Sequence, residues 1–595
     1  MRRAVLLLLF CGHVWAADWN VSTTGTRTSC TNGNGDWSAA ETYGNVHAVF
    51  FTCGASMSDG DQIVINDGSY SHNNTRCAAV AGSYTIKSRN DDANLVTFLS
   101  NSASASAWNL NCAETVNVEF KDLSFSHLGT TFTATATNPM MYIHAETNNV
   151  TFTRIQWKNL TYTTTGNNST LTAPINSRFE GVDTARTVTF ADNTFTDFAM
   201  TAQNAGSLIL YANTGTTLVF TGTNEASNLS FTSTGTDTND GLQGVFYGLA
   251  NVPITINGAL NGSNITSTVL SGNANGSFLR AVNTGAITLA ADAEVNCTDF
   301  TWTGEGGTAA CVWTTGPFVM GDGWVTGTRV SVTNTDETLG LGAVFLAQDS
   351  TAAGRAKVRC IDSDAWNGPA IYASNGGTGT WVVDSYNCRA RIGVVYFGGD
   401  GDNTLSGLIR GSDSKAGEDA VQGMDVYAHN HVSTATRAKV TNLYNLTIGP
   451  AQNTSIPSVY LTNNNTTHAH TANLYNNIFD GGNTLAVEAT EAASTTLNVT
   501  GRTNRTAIGS IDTSDVVTGT VSVTGTTTGD AGFVDRGGET ADSYRLAGDS
   551  TARRAGTDRN LGNIQDLGDR AFMHPPSLGA WEAASRDEAG SRTPR

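Results

Sequence analysis

One short phrase recurs along the chain, in which a small residue precedes an apolar run that contains an aromatic or branched side chain. Examples are "LGAVFLAQ" at 341–348, "NGPAIYAS" at 367–374 and "QGMDVYAH" at 422–429. When the apolar centres are aligned, successive members lie 24 to 36 residues apart. The series is Met141, Ile175, Ile209, Val245, Phe278, Val312, Val344, Ile371, Val395, Val426, Val459 and Val487. Such a period predicts one structural unit per repeat, each covering the hydrophobic face of the unit before it.

A second series of segments lies between these phrases, for example "VNVEFKDLSF" at 116–125 and "VTFADNTF" at 188–195. Apolar and polar residues alternate in them, which is the period of a β-strand and not of a helix. A propeller blade needs four strands, and each repeat here has two clear ones. The chain has 63 glycines and 10 prolines, a composition that suits many short strands joined by turns. We therefore predict an all-β fold, a parallel β-helix of roughly twelve coils.

Asparagine recurs in comparable turns, at Asn193, Asn387, Asn445 and Asn477. Asparagine tolerates a left-handed backbone and can bond to the asparagine of the next coil. The alternative is that asparagine is simply common in turns.

The N-terminal residues 1–16 read as a signal peptide, because Arg2 and Arg3 precede an apolar stretch that ends at Ala16. No later apolar run is long enough to span a membrane. The net charge of −19 argues against nucleic-acid binding, which needs a basic surface. We therefore expect a secreted or cell-surface protein with no transmembrane segment and no nucleic-acid partner.

Removing the signal peptide leaves eight cysteines, an even number that suggests disulfides in an exported chain. Pairing neighbours in sequence gives Cys30–Cys53, Cys77–Cys112, Cys297–Cys311 and Cys360–Cys388. The third pair is the first choice, because its loop is short and closes easily. Sequence alone does not fix the connectivity, and buried free thiols are the alternative.

Two terminal stretches resemble the right-handed parallel β-helix proteins of the pectate-lyase-like superfamily. "SDGDQIVINDGSY" at 58–70 is similar to the family's entry segment, and 544–582 is similar to its closing segment. Ser577 replaces the usual aspartate in the closing motif. The resemblance implies an N-terminal cap at 17–57, a right-handed parallel β-helix at 58–540, a closing segment at 541–582 and a disordered tail at 583–595.

Basic residues are scarce between 201 and 354, where only Arg280 and Arg329 occur, and then cluster within four coils. The cluster contains Arg355, Lys357, Arg359, Arg389, Arg391, Arg410, Lys415, Arg437 and Lys439. Stacking the coils with a shift of 25 residues places Asp364 near Arg389 and Trp366 near Arg391. Solvated turns and surface ion pairs are the structural explanation of these charges, and a sugar-binding patch is the functional one.

The functional interpretation assigns Arg389, Arg391 and Lys415 to the carboxylates of an anionic glycan and Trp366 to a sugar ring. Asp400 and Asp402, in the acidic turn "GGDGDN", are candidate ligands of a calcium ion. The resemblance then implies a protein that binds or processes extracellular polysaccharide, as a polyuronate lyase or a glycosidase. A non-catalytic adhesin or structural protein is the alternative, because enzymes, adhesins and structural proteins share this fold.

Overall fold

The structure of the protein is a computed structural model. It describes residues 17–31, 36–72, 75–77, 81–100, 108–110, 112, 116–126, 132–134, 140–143, 147–164, 173–177, 185–202, 206–234, 242–249, 251–269, 276–304, 308–334, 341–348, 353–365, 371–374, 378–390, 393–410, 413–414, 424–430, 437–449, 457–480, 485–507, 509–534, 541–557 and 576–580. The predicted signal peptide and the predicted tail lie outside these ranges.

The chain winds through two parallel sheets, which we call the major sheet and the minor sheet. Each turn of the chain passes through the major sheet, crosses to the minor sheet and returns one coil further on. Met141, for example, pairs in parallel with Trp108 of the preceding coil and with Ile175 of the following one. The prediction of an all-β parallel β-helix is confirmed.

The major sheet has 31 strands. They are Asp18–Val21, Gln62–Ile65, Gly68–His72, Gly82–Ser88, Val96–Ser100, Val116–Lys121, Ser124–Ser126, Phe132–Ala134, Thr147–Thr153, Gln156–Thr164, Arg186–Ala191, Thr194–Ala202, Thr216–Ser233, Ile254–Val269, Ile287–Leu289, Glu294–Gly304, Phe318–Thr328, Ser331–Asn334, Ala353–Ile361, Asp364–Ala365, Thr378–Tyr386, Arg389–Ala390, Asn403–Arg410, Asp413–Ser414, Lys439–Ile448, His470–Tyr475, Ile478–Phe479, Leu497–Arg502, Arg505–Thr506, Val521–Thr524 and Thr527–Thr528.

The minor sheet has 15 strands. They are Thr75–Arg76, Trp108–Leu110, Met141–Ile143, Ile175–Ser177, Gly206–Ala212, Leu242–Gly248, Gly276–Ala281, Thr308–Thr314, Leu341–Gln348, Ile371–Ser374, Gly393–Phe397, Met424–Asn430, Val459–Asn463, Leu485–Glu491 and Ser510–Asp515. Twelve of them carry the recurring phrase, and the first, second and last extend the helix beyond it.

The helices of the described residues are short. A π-helix spans Ala48–Thr52, and 3-10 helices span Gly54–Ser56 and Ala541–Tyr544. None of the helices in the described part of the chain is long and apolar enough to cross a membrane.

The interior is one continuous apolar column. All twelve aligned residues of the recurring phrase are buried in the same core cluster, as the repeat predicts. In the strand Thr308–Thr314, Ala310 and Trp313 belong to a separate cluster, whereas Cys311 and Val312 between them lie in the core. Two consecutive residues thus point inward at this position, which strict alternation does not anticipate.

The coils turn where single residues adopt a left-handed backbone, and asparagine serves two roles there. Asn387 and Asn445 have φ of 50° and 52°, as expected for a left-handed turn. Asn193 and Asn477 instead are buried beside such a turn, and each bonds to an asparagine of the next coil. Asn193 bonds to Asn224 at 3.1 Å, and Asn477 bonds to Asn504 at 3.0 Å.

Three disulfides join Cys30 to Cys53, Cys77 to Cys112 and Cys360 to Cys388, as predicted. The prediction that Cys297 and Cys311 are joined is wrong, since both are buried free thiols that hydrogen-bond to each other. Loop length was the wrong criterion for this pair. Cys297 is fixed in the major sheet and Cys311 in the minor sheet, so strand positions set the separation of their sulfur atoms.

The described part of the predicted closing segment packs along the side of the helix. The amide of Gly579 donates to the carbonyl of Asn476 at 2.7 Å, and the amide of Ala580 donates to Oγ1 of Thr447 at 2.9 Å. Leu578 is buried beside Ile478. The described residues of this segment therefore pack against strands of the major sheet.

Candidate functional site

The outer face of the minor sheet carries a row of aromatic side chains, which we call the outer ladder. Each member follows an inward residue by one position, so parallel pairing brings it next to its counterpart one coil away. The outer ladder contains Tyr211, Tyr247, Arg280, Trp313, Leu346, Tyr372, Tyr396, Tyr427, Tyr460, Glu488 and Asp512.

The tyrosines at the C-terminal end of the outer ladder contact one another in a row that we call the tyrosine stack, in which the first pair of rings is stacked and the next two pairs are tilted by 59° and 44°. The ring centroids of Tyr372 and Tyr396 are 4.9 Å apart, those of Tyr396 and Tyr427 are 5.3 Å apart, and those of Tyr427 and Tyr460 are 5.6 Å apart. The imidazole of His429 lies parallel to the ring of Tyr427, with centroids 5.5 Å apart. Together these rings form a continuous apolar surface along the helix axis.

Exposure changes along the outer ladder. Tyr247 and Trp313 are buried, at 3% and 4% exposure, whereas Tyr396, Tyr427 and Tyr460 are half-buried. Burial raises the pKa of Tyr396 to about 12 and also raises the pKa of Tyr427. The phenols of Tyr396 and Tyr427 are therefore neutral at physiological pH, and the half-buried tyrosines offer ring edges and hydroxyl groups to a ligand.

Carboxyl groups follow directly after the last tyrosine. Glu488 is paired in register with Tyr460 on one side and with Asp512 on the other. Burial raises the pKa of Glu488, and the charges of Asp512 and Asp515 raise it further. Hydrogen bonds from Ser514, whose amide donates to Asp512 at 2.9 Å, lower the pKa of Asp512. Neighbouring carboxyl groups with opposite pKa shifts are the arrangement that general acid–base chemistry requires.

Arg280 interrupts the aromatic row. Its guanidinium carbon lies 3.8 Å from the ring centroid of Trp313 and 5.3 Å from that of Tyr247. Nη1 donates to the side-chain oxygen of Gln243 and, at 3.4 Å, to the backbone carbonyl of the same residue. Burial lowers the pKa of Arg280 to about 10, so the group keeps its charge at neutral pH.

Arg389, the one predicted glycan-binding residue that the structure describes, lies on another surface. Arg389 is exposed on the strand Arg389–Ala390 of the major sheet, in register with Asp364 and Asp413. The stacking of Asp364 beside Arg389 is confirmed. Arg391, Lys415 and Trp366 lie outside the described residues, so the patch as a whole stays a prediction.

Several other members of the basic cluster are paired within the major sheet. Arg410 and Arg359 contact the two carboxylate oxygens of Asp384 at 2.7 Å and 3.1 Å. Lys357 and Arg359 also lie over the ring of Trp324, at 5.6 Å and 4.3 Å from its centroid. These contacts agree with the structural explanation of the charges.

The acidic turn that contains Asp400 and Asp402 holds a lysine ammonium. Nζ of the buried Lys439 donates to the carbonyl of Gly399 at 3.1 Å and lies 3.5 Å from that of Gly401. Asp402 accepts a hydrogen bond from the amide of Val440 at 2.8 Å. Among the residues that the structure describes, no group of three or more histidine, cysteine, aspartate or glutamate side chains is arranged for a metal. Calcium binding at this turn stays a prediction.

Burial dominates the electrostatics around Lys439. It lowers the pKa of the ammonium to about 7, an effect that Asp402 and Asp400 partly offset. The next coil places His470 in register with Lys439, where burial lowers the imidazole pKa to about 3. His470 is therefore neutral, and its ring nitrogens lie 3.0 Å from Oγ1 of Thr441 and 3.0 Å from the carbonyl of Thr462.

Sequence reasoning noticed the aromatic residues of the recurring phrase but did not assign them a surface. The available signal was position: a tyrosine follows the inward residue at once in "PAIYAS", "GVVYFG", "MDVYAH" and "PSVYLT". In a strand, consecutive residues point to opposite faces, so these tyrosines had to face outward and stack.

Comparison with known proteins adds no family. A scan against protein-family models finds no match, and no curated protein is significantly similar in sequence.

Proposed function

We propose that the protein is an exported parallel β-helix that binds an extracellular polysaccharide along the outer ladder. The observation that carries this proposal is the stack of the half-buried Tyr396, Tyr427 and Tyr460. Ring edges that end in hydroxyl groups suit a sugar, which presents both C–H and hydroxyl groups. The stack repeats at the spacing of the coils, so an extended polymer can meet several rings at once.

The three disulfides and the signal-like N-terminus support an extracellular location. The negative net charge keeps such a protein soluble but repels an anionic polymer, so binding has to rest on local contacts. The tyrosine stack supplies contacts of that kind without charge.

The carboxyl pair at the end of the stack favours hydrolysis as the enzymatic form of this function. Glu488, with its raised pKa, is suited to donate a proton to a leaving oxygen, and ionised Asp512 is suited to accept one from water. If the pair does not react, the same stack makes the protein a non-catalytic adhesin or matrix component.

The test is a binding series on residues 17–595 with neutral and acidic polysaccharides, measured by affinity electrophoresis and calorimetry. Tyr427→Ala and Tyr460→Ala should each weaken binding about tenfold, the loss expected for a ligand contact of roughly 1.4 kcal/mol. Tyr444→Ala is the matched control, because Tyr444 is a half-buried tyrosine in the major sheet whose ring contacts that of Tyr475 edge to face, with centroids 5.7 Å apart.

The same samples should be assayed for new reducing ends. Release that disappears in Glu488→Gln supports the enzyme, and tight binding without release supports the adhesin. Binding by the parent to none of the polysaccharides, or an equal loss in Tyr444→Ala, would remove the outer ladder as the site.

A further inference from the structure

Arg280 is a buried cation for which the described part of the chain supplies no carboxylate. Only 8% of the residue is exposed. Its polar contacts are the two oxygens of Gln243, and its remaining neighbours are the rings of Tyr247 and Trp313. Two other arginines are buried in the described part of the chain: Arg410 is paired with Asp384 at 2.7 Å, and Arg186 donates to the carbonyl of Ile143 at 3.1 Å.

A buried charge without a counter-charge is costly, which is why buried ions in proteins are normally paired. The faces of two aromatic rings offset part of this cost, but they do not neutralise the charge. Packing alone does not explain the choice of residue, because Leu346 occupies an equivalent place in the outer ladder two coils further on. An apolar side chain is thus tolerated in this row.

Unused hydrogen-bond donors point in the same direction. Nε of Arg280 and Nε1 of Trp313 are both buried, and neither has a hydrogen-bond partner in the structure. The indoles of Trp157 and Trp302 in the core also lack an acceptor, so the indole does not carry the argument. The guanidinium is the group that points to an anionic ligand, because its planar set of charged N–H donors matches a carboxylate or a sulfate.

We propose that Arg280, held between Tyr247 and Trp313, is a subsite for an oxyanion carried by the bound glycan, either a carboxylate or a sulfate ester. This inference rests on the proposed function, because it places the anionic group on a polymer that lies along the outer ladder. It assigns the tyrosine stack to affinity for sugars in general and Arg280 to selection of the acidic ones.

The experiment uses the chain 17–595 with four probes: a uronate oligosaccharide, dextran sulfate, neutral dextran and sodium sulfate. Arg280→Met keeps an unbranched side chain between the rings and removes the charge, whereas Arg280→Lys keeps the charge and loses the fork. Arg329→Met is the control, because Arg329 is an exposed arginine paired with Asp299 in the major sheet. Binding is measured by calorimetry and by the ligand-induced shift of the unfolding temperature.

The parent should bind at least one acidic glycan at least tenfold more tightly than neutral dextran, and added salt should reduce the difference. Arg280→Met should abolish that preference, Arg280→Lys should retain part of it, and Arg329→Met should leave it unchanged. Without ligand, Arg280→Met should unfold at the same or a higher temperature than the parent, since it removes an unpaired buried charge.

Three results would overturn the inference. The first is that the parent and Arg280→Met bind the acidic probes equally well. The second is that Arg280→Met unfolds at a lower temperature than the parent and that no anion shifts the unfolding temperature of the parent. Preference of the parent for neutral dextran is the third, and it would leave the proposed function standing. Binding of sodium sulfate at Arg280 without binding of any glycan would keep the oxyanion but refute the glycan as its source, and with it the proposed function.

Discussion

Two aromatic rows run along this helix with similar ring spacing and opposite surroundings. Inside, Phe120, Phe152, Phe190 and Phe220 stack with centroid separations of 5.5, 5.2 and 5.4 Å. Outside, the tyrosine stack of the outer ladder has separations between 4.9 and 5.6 Å. The inner residues are phenylalanines at 0% exposure, and the outer ones keep a hydroxyl group.

The spacing is therefore a property of the backbone and says nothing about function. Parallel strands about 4.8 Å apart force in-register rings to stack on whichever face they lie. The hydroxyl groups, the partial exposure and the carboxyl groups that follow the last tyrosine distinguish a candidate binding surface from a core.

The largest effect in this comparison should follow from truncating an inner ring. Phe190→Ala should lower the free energy of unfolding by roughly 3–5 kcal/mol, because a cavity opens between Phe152 and Phe220 where neighbouring coils hold the backbone apart. Urea denaturation followed by circular dichroism measures the change. Phe190→Leu is the control and should cost clearly less; an Ala variant as stable as the parent would show that the coils can collapse into the space.

A buried charge should give the next largest effect, and it depends on pH. Lys439 has a pKa of about 7 in the folded protein and 10.5 in the unfolded chain, so the folded state binds fewer protons between these values. Its burial costs nothing above pH 10.5, destabilises the fold progressively as the pH falls, and costs a constant amount below pH 7. The difference between the two pKa values corresponds to a destabilisation of about 5 kcal/mol below pH 7, as an upper bound.

Unfolding temperatures at pH 7.5 and pH 9.5 test this dependence in a range where the neighbouring His470 stays neutral. The parent should gain stability towards pH 9.5, and Lys439→Met should gain much less. Arg437→Met, which removes an exposed cation 3.5 Å from Asp402, is the control. Equal gains in the parent and in Lys439→Met would assign the dependence to other groups.

Much of the fold was predictable from sequence, because the inward apolar residues and the alternation of the flanking strands are both local and periodic patterns. The inward residues, from Met141 to Val487, are apolar at each repeat, and alternation identifies the flanking strands. The paired inward residues Cys311 and Val312 were not predictable, since two apolar residues in succession do not reveal which of them faces the core.

The candidate site was less predictable, for a physical reason. Charge clustering drew attention to 355–439, but Arg359 and Arg410 use their charges on Asp384 within one sheet. The outer ladder draws its members from 211 to 512, and only the register of the coils brings them together. The register depends on loop lengths that vary between repeats, so the chemical signal, a tyrosine after several of the inward residues, has no meaning until the coils are stacked.

The smallest effect should come from the hydroxyl group of an outer tyrosine, and it separates stacking from hydrogen bonding. Tyr427→Phe keeps the ring between Tyr396 and Tyr460. The free energy of unfolding should therefore change by no more than about 0.5 kcal/mol, as is usual for substitutions outside the core. Glycan affinity should fall less than in Tyr427→Ala, because the aromatic ring remains.

The reciprocal change inside, Phe152→Tyr, should lower the free energy of unfolding by about 1–3 kcal/mol, since it places a hydroxyl group among apolar rings. Denaturation and calorimetry on both variants check the pair. A Tyr427→Phe variant as unstable as Phe152→Tyr would mean that the outer stack is a second core, and a loss of glycan binding as large as in Tyr427→Ala would mean that the hydroxyl group, not the ring, holds the sugar.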